Sequence, residues 1–156
     1  HSDVVRRIHA EGHCIGCHDL DHRMASNFRR HRAMLREIKE ACEIIREILG
    51  KSPRLYRPPV GLANPHLGTV LDTLGMHCIG WSARAREAGN RRIDRLARIP
   101  LLAGEGRVVL LHDRLPLPQA KEALLRNIES LLLAIRSLGL KTVGVDELFG
   151  IDAYER

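Results

Sequence analysis

Arg107-Val108-Val109-Leu110-Leu111-His112 is a short, unbroken apolar run that ends on an ionisable ring. A run of this length, following Gly106, reads as a strand buried on both faces, the kind found in parallel sheets. Four other segments share the plan, each closing a strand-like run with a chemically loaded group. They are Gly12-His13-Cys14-Ile15-Gly16-Cys17-His18 with His22, Arg57-Pro58-Pro59-Val60-Gly61, Gly80-Trp81-Ser82-Ala83-Arg84, and Val143-Gly144-Val145-Asp146.

Helical patterns fill the gaps. Ser2 reads as the cap of a short first helix that Gly12 stops, and a brief strand follows over 13–16. Over residues 27–49, Met34, Leu35, Ile38, Ala41, Ile45, Ile48 and Leu49 recur at three and four, and Gly50 closes the pattern. Leu55-Tyr56-Arg57 reads as a strand end, and Asn64-Pro65 as the cap and first-turn proline of a helix reaching Gly75. Residues 76–82 read as a strand, 91–99 as a helix ended by Pro100, and 118–138 as a helix stopped by Gly139. Residues 141–145 read as a last strand, with Asp146 capping a final turn.

One helix followed by five βα units implies an α/β domain, a parallel sheet wrapped by helices. Ligands in such folds bind at the carboxyl ends of the strands. His18, Arg57, Trp81, Arg84, His112 and Asp146 all fall there.

Composition narrows the function classes. The 156 residues are 44% hydrophobic and 28% charged, which suits one globular domain with a real core, and no apolar run is long enough for a bilayer. The net charge of +6 permits anionic polymers, although several arginines interleave with glutamates along helices. Two Phe, two Tyr and one Trp are too few for a nucleic-acid platform of stacked rings. Cys14, Cys17, Cys42 and Cys78 read as buried thiols rather than a disulfide framework. No signal-peptide pattern opens the chain, and the compartment stays open.

His18-Asp19-Leu20-Asp21-His22 spaces two imidazoles four apart, which on a helical turn places both on one face. They supply two of the three protein ligands a catalytic zinc takes, with Asp19 or Asp21 as a further ligand or an orienting partner. The plainer alternative is a polar loop with solvated histidines. Cys14-x-x-Cys17-His18 also matches c-type haem attachment, whereas a zinc finger of Cys14, Cys17, His18 and His22 leaves too few residues between its pairs. Arg57 on a stiff turn suits fixed recognition of a carboxylate, and the prolines beside it leave the Val60 amide for an oxyanion. A structural loop is the alternative there. His112 suits a general acid for a leaving amine, and Trp81 a wall of a sugar site or a core residue. His9, His31, His66 and His77 receive no role, and Arg23, Arg29, Arg30 and Arg32 read as a solvated helix face.

In this order the segments resemble the polysaccharide deacetylases of the NodB-homology family, carbohydrate esterase family 4. Gly-His-x-Ile-Gly-x-His-x-x-x-His at 12–22 looks like that family's metal motif, Arg57 to Gly61 like its Arg-x-Pro loop, and Gly80 to Arg84 and Val108 to His112 like its fourth and fifth motifs. The resemblance implies an incomplete (β/α) barrel over 1–156, one NodB-homology domain lacking its first strands. It implies a divalent metal, usually zinc, held by His18 and His22, and removal of N-acetyl groups from chitooligosaccharide or peptidoglycan-like polysaccharide. Carried over by position, the Val60 amide holds the oxyanion, Leu110 lines the acetyl pocket, and Trp81 and Arg84 meet substrate. His112 protonates the departing amine with Glu87 supporting it, and Arg57 orients a catalytic aspartate. The implied partner is an N-acetylated glycan, with no nucleic acid, at the cell envelope or outside the cell. Three departures stand: no Asp-Asp-Gly motif is present, Asp19 replaces a serine or threonine, and Glu87 is one carbon longer than the usual acid. They keep a non-catalytic carbohydrate-binding member as the alternative, and the haem protein as a remote one.

Overall fold

The computed structural model describes residues 1–22, 30–86, 89–115 and 117–155, without the side chain of Leu101. Along the chain run α1 (Ser2–Ala10), α2 (His31–Leu49), β1 (Leu55–Tyr56), α3 (Pro65–Thr73), β2 (His77–Cys78), β3 (Ala83–Arg84), α4 (Ile99–Leu102), β4 (Val109–Leu110), α5 (Lys121–Ser137) and α6 (Val145–Phe149). Short 3₁₀ turns at Pro59–Gly61, Ile93–Arg98 and Pro118–Ala120 join them. Two compact units divide the elements, His1–Gly80 with Gly144–Arg156, and Trp81–Val143. No helix among the described residues is long and apolar enough to cross a membrane.

In the first unit, α2 contains no glycine or proline and buries Met34, Glu37, Ile38 and Ala41, the three-and-four spacing of one helical face. Gly50 ends it at φ 75, a left-handed angle that costs glycine little. Asn64 caps α3 by accepting from the amides of His66 and Leu67 at 2.9 and 3.1 Å, with Pro65 in the first turn. Ile38 and Val70, both 0% exposed, bring these helices together over Cys17 and Tyr56.

Strand β1 pairs in parallel with β2, Leu55 opposite His77 and Tyr56 opposite Cys78. On its other side Cys17 makes a parallel bridge to Tyr56, with the Cys17 amide donating to Leu55 O at 2.8 Å and the Arg57 amide to Cys17 O at 2.9 Å. A side chain at Gly16 has no room, since a β-carbon there would lie 3.0 Å from Leu55 O. Residues near the C-terminus close this layer. The Tyr154 hydroxyl accepts from the Ile15 amide at 2.7 Å and lies 3.2 Å from His9 Nδ1, giving His9 a structural role. Cys14 Sγ donates to Asp146 Oδ1 at 3.6 Å.

The second unit pairs β3 with β4 in parallel, Ala83 opposite Val109 and Arg84 opposite Leu110. Leu124, Leu131 and Ile135 of α5 pack with Ala85, Leu96 and Ile99.

Parallel pairing and most of the helices are as the sequence implies, whereas the expected helix over 91–99 is a 3₁₀ turn at Ile93–Arg98, the expected strand over 13–16 is reduced to the single bridge at Cys17, and several boundaries differ. Among the described residues the ladders form two two-stranded sheets, because each strand finds partners over only two residues. The expected strand 76–82 is replaced by β2 in one unit and β3 in the other, and the run 107–112 is half-buried at 108–110 and exposed beyond. No strand forms over 141–145: Gly144 is the N-cap of α6, and Asp146 sits in its first turn, where a carboxylate meets the positive end of the helix. Pro100 opens α4 rather than ending a helix, since its missing amide is harmless in a first turn. His1, not Ser2, stands at the N-cap of α1. Residues 27–29 of the expected long helix, with Arg23 and Arg29, lie outside the described residues.

Burial pushes the Cys14 thiol above its ordinary range, and the Asp146 carboxylate adds to this by opposing the thiolate. Asp146→Asn removes that negative charge, so more thiolate forms near pH 8 and Cys14 alkylates faster. Peptide-resolved alkylation rates check this; a slower or unchanged Cys14 contradicts it.

Candidate functional site

The bridge from Cys17 to Tyr56 delivers His18 beside the loop that follows β1. His18 Nδ1 lies 2.6 Å from Arg57 O. A carbonyl only accepts, so Nδ1 carries the proton and the Nε2 lone pair is left for a ligand. The His22 ring stands edge-on to His18, with centroids 4.7 Å apart and planes at 74°. No helical turn produces this. The loop bends through left-handed angles at Asp19 (φ 73) and His22 (φ 51), so the four-residue spacing acts through an irregular loop.

Two neighbouring imidazoles, one fixed by a backbone carbonyl, fit two positions of a zinc-type ligand set. Among the described residues no group of three His, Cys, Asp or Glu completes one. Burial first, and the charge of Asp19 second, push the Tyr56 phenol up. Asp19 Oδ2 is buried with no hydrogen-bond partner among the described residues. Asp21 lines a cavity of about 300 Å³ with Leu20, Arg36, Glu37 and Glu40.

Arg57 is half-buried, and its guanidinium laces across to the chain after β2, donating from Nε to Ile79 O at 3.2 Å and from Nη2 to Gly80 O at 3.3 Å. Burial lowers its pKa. Two of its bonds thus go to backbone carbonyls, partners that the sequence did not name. Beyond Pro58-Pro59, Val60 sits at φ 51, ψ 9. A β-branched residue in that region costs roughly 1–2 kcal/mol, strain that persists where the surroundings impose it. Its amide meets no acceptor among the described residues, as the loop's prolines led us to expect.

In the second unit, Leu110 and Arg84 are register partners, so two expected substrate residues are neighbours on one ladder. Arg84 lies within β3, not past a strand end. Trp81 is half-buried, and His112 is exposed two residues beyond β4. Glu87 lies outside the described residues. Sequence reasoning missed Asn90, which is 1% exposed at φ 64. Its Nδ2 donates to His112 O at 2.6 Å and to Arg114 O at 2.9 Å, fixing the backbone that carries His112. The only signal was Gly89-Asn90, which reads as an ordinary turn.

All four cysteines are free, Cys17 buried, Cys14 and Cys42 half-buried and Cys78 exposed against expectation. Hydrogen bonding from Cys42 holds the Cys17 thiol below its usual range, and Cys42 is pushed up in turn. Attachment of haem asks for the Cys17 sulfur at a surface, and Cys17 is 2% exposed within the core.

Comparison with known proteins gives the class. A profile of the polysaccharide deacetylase family matches residues 1–79, half of the chain, and the chain belongs to that family. It is 26% identical over 149 residues to a peptidoglycan-N-acetylglucosamine deacetylase of Listeria monocytogenes, a match covering 94% of this chain and 30% of that protein. It is 30% identical over 117 residues to a chitooligosaccharide deacetylase of Rhizobium leguminosarum bv. trifolii, covering 74% of this chain and 54% of that one. The chain thus spans only part of the length of the relatives it matches. Among solved structures, the chitin deacetylase of Colletotrichum lindemuthianum superposes with a TM-score of 0.81 at 21% identity over 99% of this chain and 71% of that chain. The fold is the α/β type of these deacetylases.

Asn90→Gly keeps the left-handed backbone available and removes only the side-chain amide. The loss of two part-buried bonds to backbone carbonyls lowers unfolding stability by about 1–3 kcal/mol. Urea unfolding followed by a probe in the second unit checks this; an unchanged midpoint denies Asn90 the holding role.

Proposed function

We propose that this chain carries the metal-holding and proton-donating motifs of a hydrolase that removes N-acetyl groups from an amino-sugar polysaccharide of the chitooligosaccharide or peptidoglycan type. The observation that carries the reading is the His18–His22 pair, one ring fixed with Nε2 outward, on a chain of the polysaccharide deacetylase family. The two units are read as parts of one NodB-homology domain. Activity at the cell envelope or outside the cell belongs to the same reading.

His18 and His22 would hold a divalent cation, zinc by preference of the nitrogen donors, with a third donor from outside the described residues. Bound there, the ion would supply Lewis acidity and an activated water. The chain's own residues have separate tasks. Arg57 O keeps His18 in one tautomer. The strained Val60 loop presents an amide for the developing oxyanion, a donor that needs no reorganisation as charge appears. Leu110 lines the pocket for the acetyl methyl, and Trp81 and Arg84 contact the sugar. His112 gives its proton to the departing amine, with Glu87 as its support. The sequence has no Asp-Asp-Gly motif, so no residue is assigned as base.

Acetate release from N-acetylated chitooligosaccharides and peptidoglycan fragments, by the protein at its full natural length, tests the reading. Release should depend on added zinc, and His18→Ala and His112→Ala should each lower it at least about 100-fold. Release indifferent to both variants would sink the assignment. Saccharide binding without release would make this a non-catalytic member.

A further inference from the structure

The second unit contains a cavity of about 450 Å³ lined by Arg84, Ala85, Arg86, Arg98 and Leu102. Its size lies within the roughly 300–1,000 Å³ of small-molecule sites. We propose that it binds a carboxylate carried by an acidic sugar of the glycan chain. This deepens the reading above and rests on it, by naming an anionic glycan as the favoured substrate class.

Three observations support it. First, the charge is concentrated and of one kind: residues 81–98 hold six arginines, no lysine, and only Glu87 and Asp94 as acids. Arginine's planar fork matches a carboxylate in a bidentate way, which a lysine ammonium does not. Among the described residues, none of Arg84, Arg86 and Arg98 is paired with a carboxylate. Three cations around one cavity repel one another, and an anion seated among them removes that repulsion.

Second, the site is built. Arg86 sits at φ 58, and Arg95 Nη1 donates to its carbonyl at 3.0 Å, clamping the turn. Arg95 Nε is buried with no acceptor among the described residues. Arg84 is fixed in the β3–β4 ladder, while Arg98 and Leu102 ride on turns anchored by Leu96 and Ile99, 1% and 0% exposed. The cations are therefore carried on a preformed frame.

Third, the uncharged lining suits a sugar better than a base. Leu102, 40% exposed, offers a small apolar surface for pyranose C–H groups, and no aromatic ring of the described residues lines the cavity for nucleobase stacking. The favoured glycan is thus one with lactyl or uronic carboxylates beside its N-acetyl groups, over neutral chitin oligomers.

Calorimetric titration of the 156-residue chain tests this with a muramic-acid-containing oligosaccharide and the same oligosaccharide with its carboxylates amidated. At low salt the carboxylated form should bind at least about ten-fold tighter, consistent with one or two charge-assisted bonds. That ratio should fall toward one in about 1 M salt, where charges are screened within about 3 Å. It should also fall in Arg86→Gln/Arg98→Gln and partly in Arg98→Gln alone, each checked for native circular dichroism. Equal binding of the two oligosaccharides by the parent chain overturns the proposal, as does a ratio that survives in the double variant. A charge-dependent ratio in a protein that releases no acetate leaves this site standing while the deacetylase reading falls.

Discussion

The contact on which the candidate site depends is the parallel bridge between Cys17 and Tyr56. It carries two backbone bonds, and Gly16 makes the close approach possible. Once Cys17 is seated in the core, His18 emerges beside Arg57 O, and that carbonyl decides which imidazole nitrogen faces outward. The same pairing sets Arg57 so that its guanidinium reaches the carbonyls after β2. Ring orientation, tautomer and the entry to the Val60 loop thus descend from one short piece of ladder. Both ends of that piece lie in the helix-covered core around Ile38 and Val70.

Backbone strain is distributed in a telling way. Among the described residues, left-handed angles at non-glycine positions occur at Asp19, His22, Val60, Arg86 and Asn90. Two shape the histidine loop, one shapes the loop after Pro58-Pro59, one sits on the arginine-lined cavity, and one holds the carbonyl of His112. Each costs free energy that rigid surroundings must offset. Here the surroundings are the proline pair before Val60, the Arg95 clamp on Arg86 and the buried amide of Asn90.

How much of this was legible in the sequence follows from what sets each feature. The helices α2 and α3 were legible because their signals are local: a three-and-four apolar face, a glycine stop, and an asparagine cap before proline. The extents of the strands were not, because a ladder ends where its neighbour ends. The run over 107–112 therefore reads as a full strand yet pairs over two residues. The sequence 141–145 misled for a related reason: its apolar residues look like a strand, and Gly144 with Asp146 instead starts a helix tied to Cys14. The spacing of His18 and His22 led to two rings that do lie together, but through an irregular loop rather than a helical turn. Asn90 was invisible, since nothing in Gly89-Asn90 separates a buried carbonyl clamp from an exposed turn. The carbonyl partners of Arg57 were equally beyond reading, because backbone groups carry no residue name.

The central claim is that His18 and His22 form a ligand pair through outward nitrogens, with His18 Nδ1 committed to Arg57 O. Long-range ¹H–¹⁵N spectra of the histidine rings, recorded while zinc is added to the chain, test it most directly. The account predicts that His18 is the Nδ1–H tautomer without metal. On zinc addition the His18 Nε2 resonance and the His22 ring should shift together, while His9, His66 and His77 stay in place. Zinc shifts at His18 Nδ1, or shifts spread over the other histidines with His18 and His22 unmoved, would contradict it.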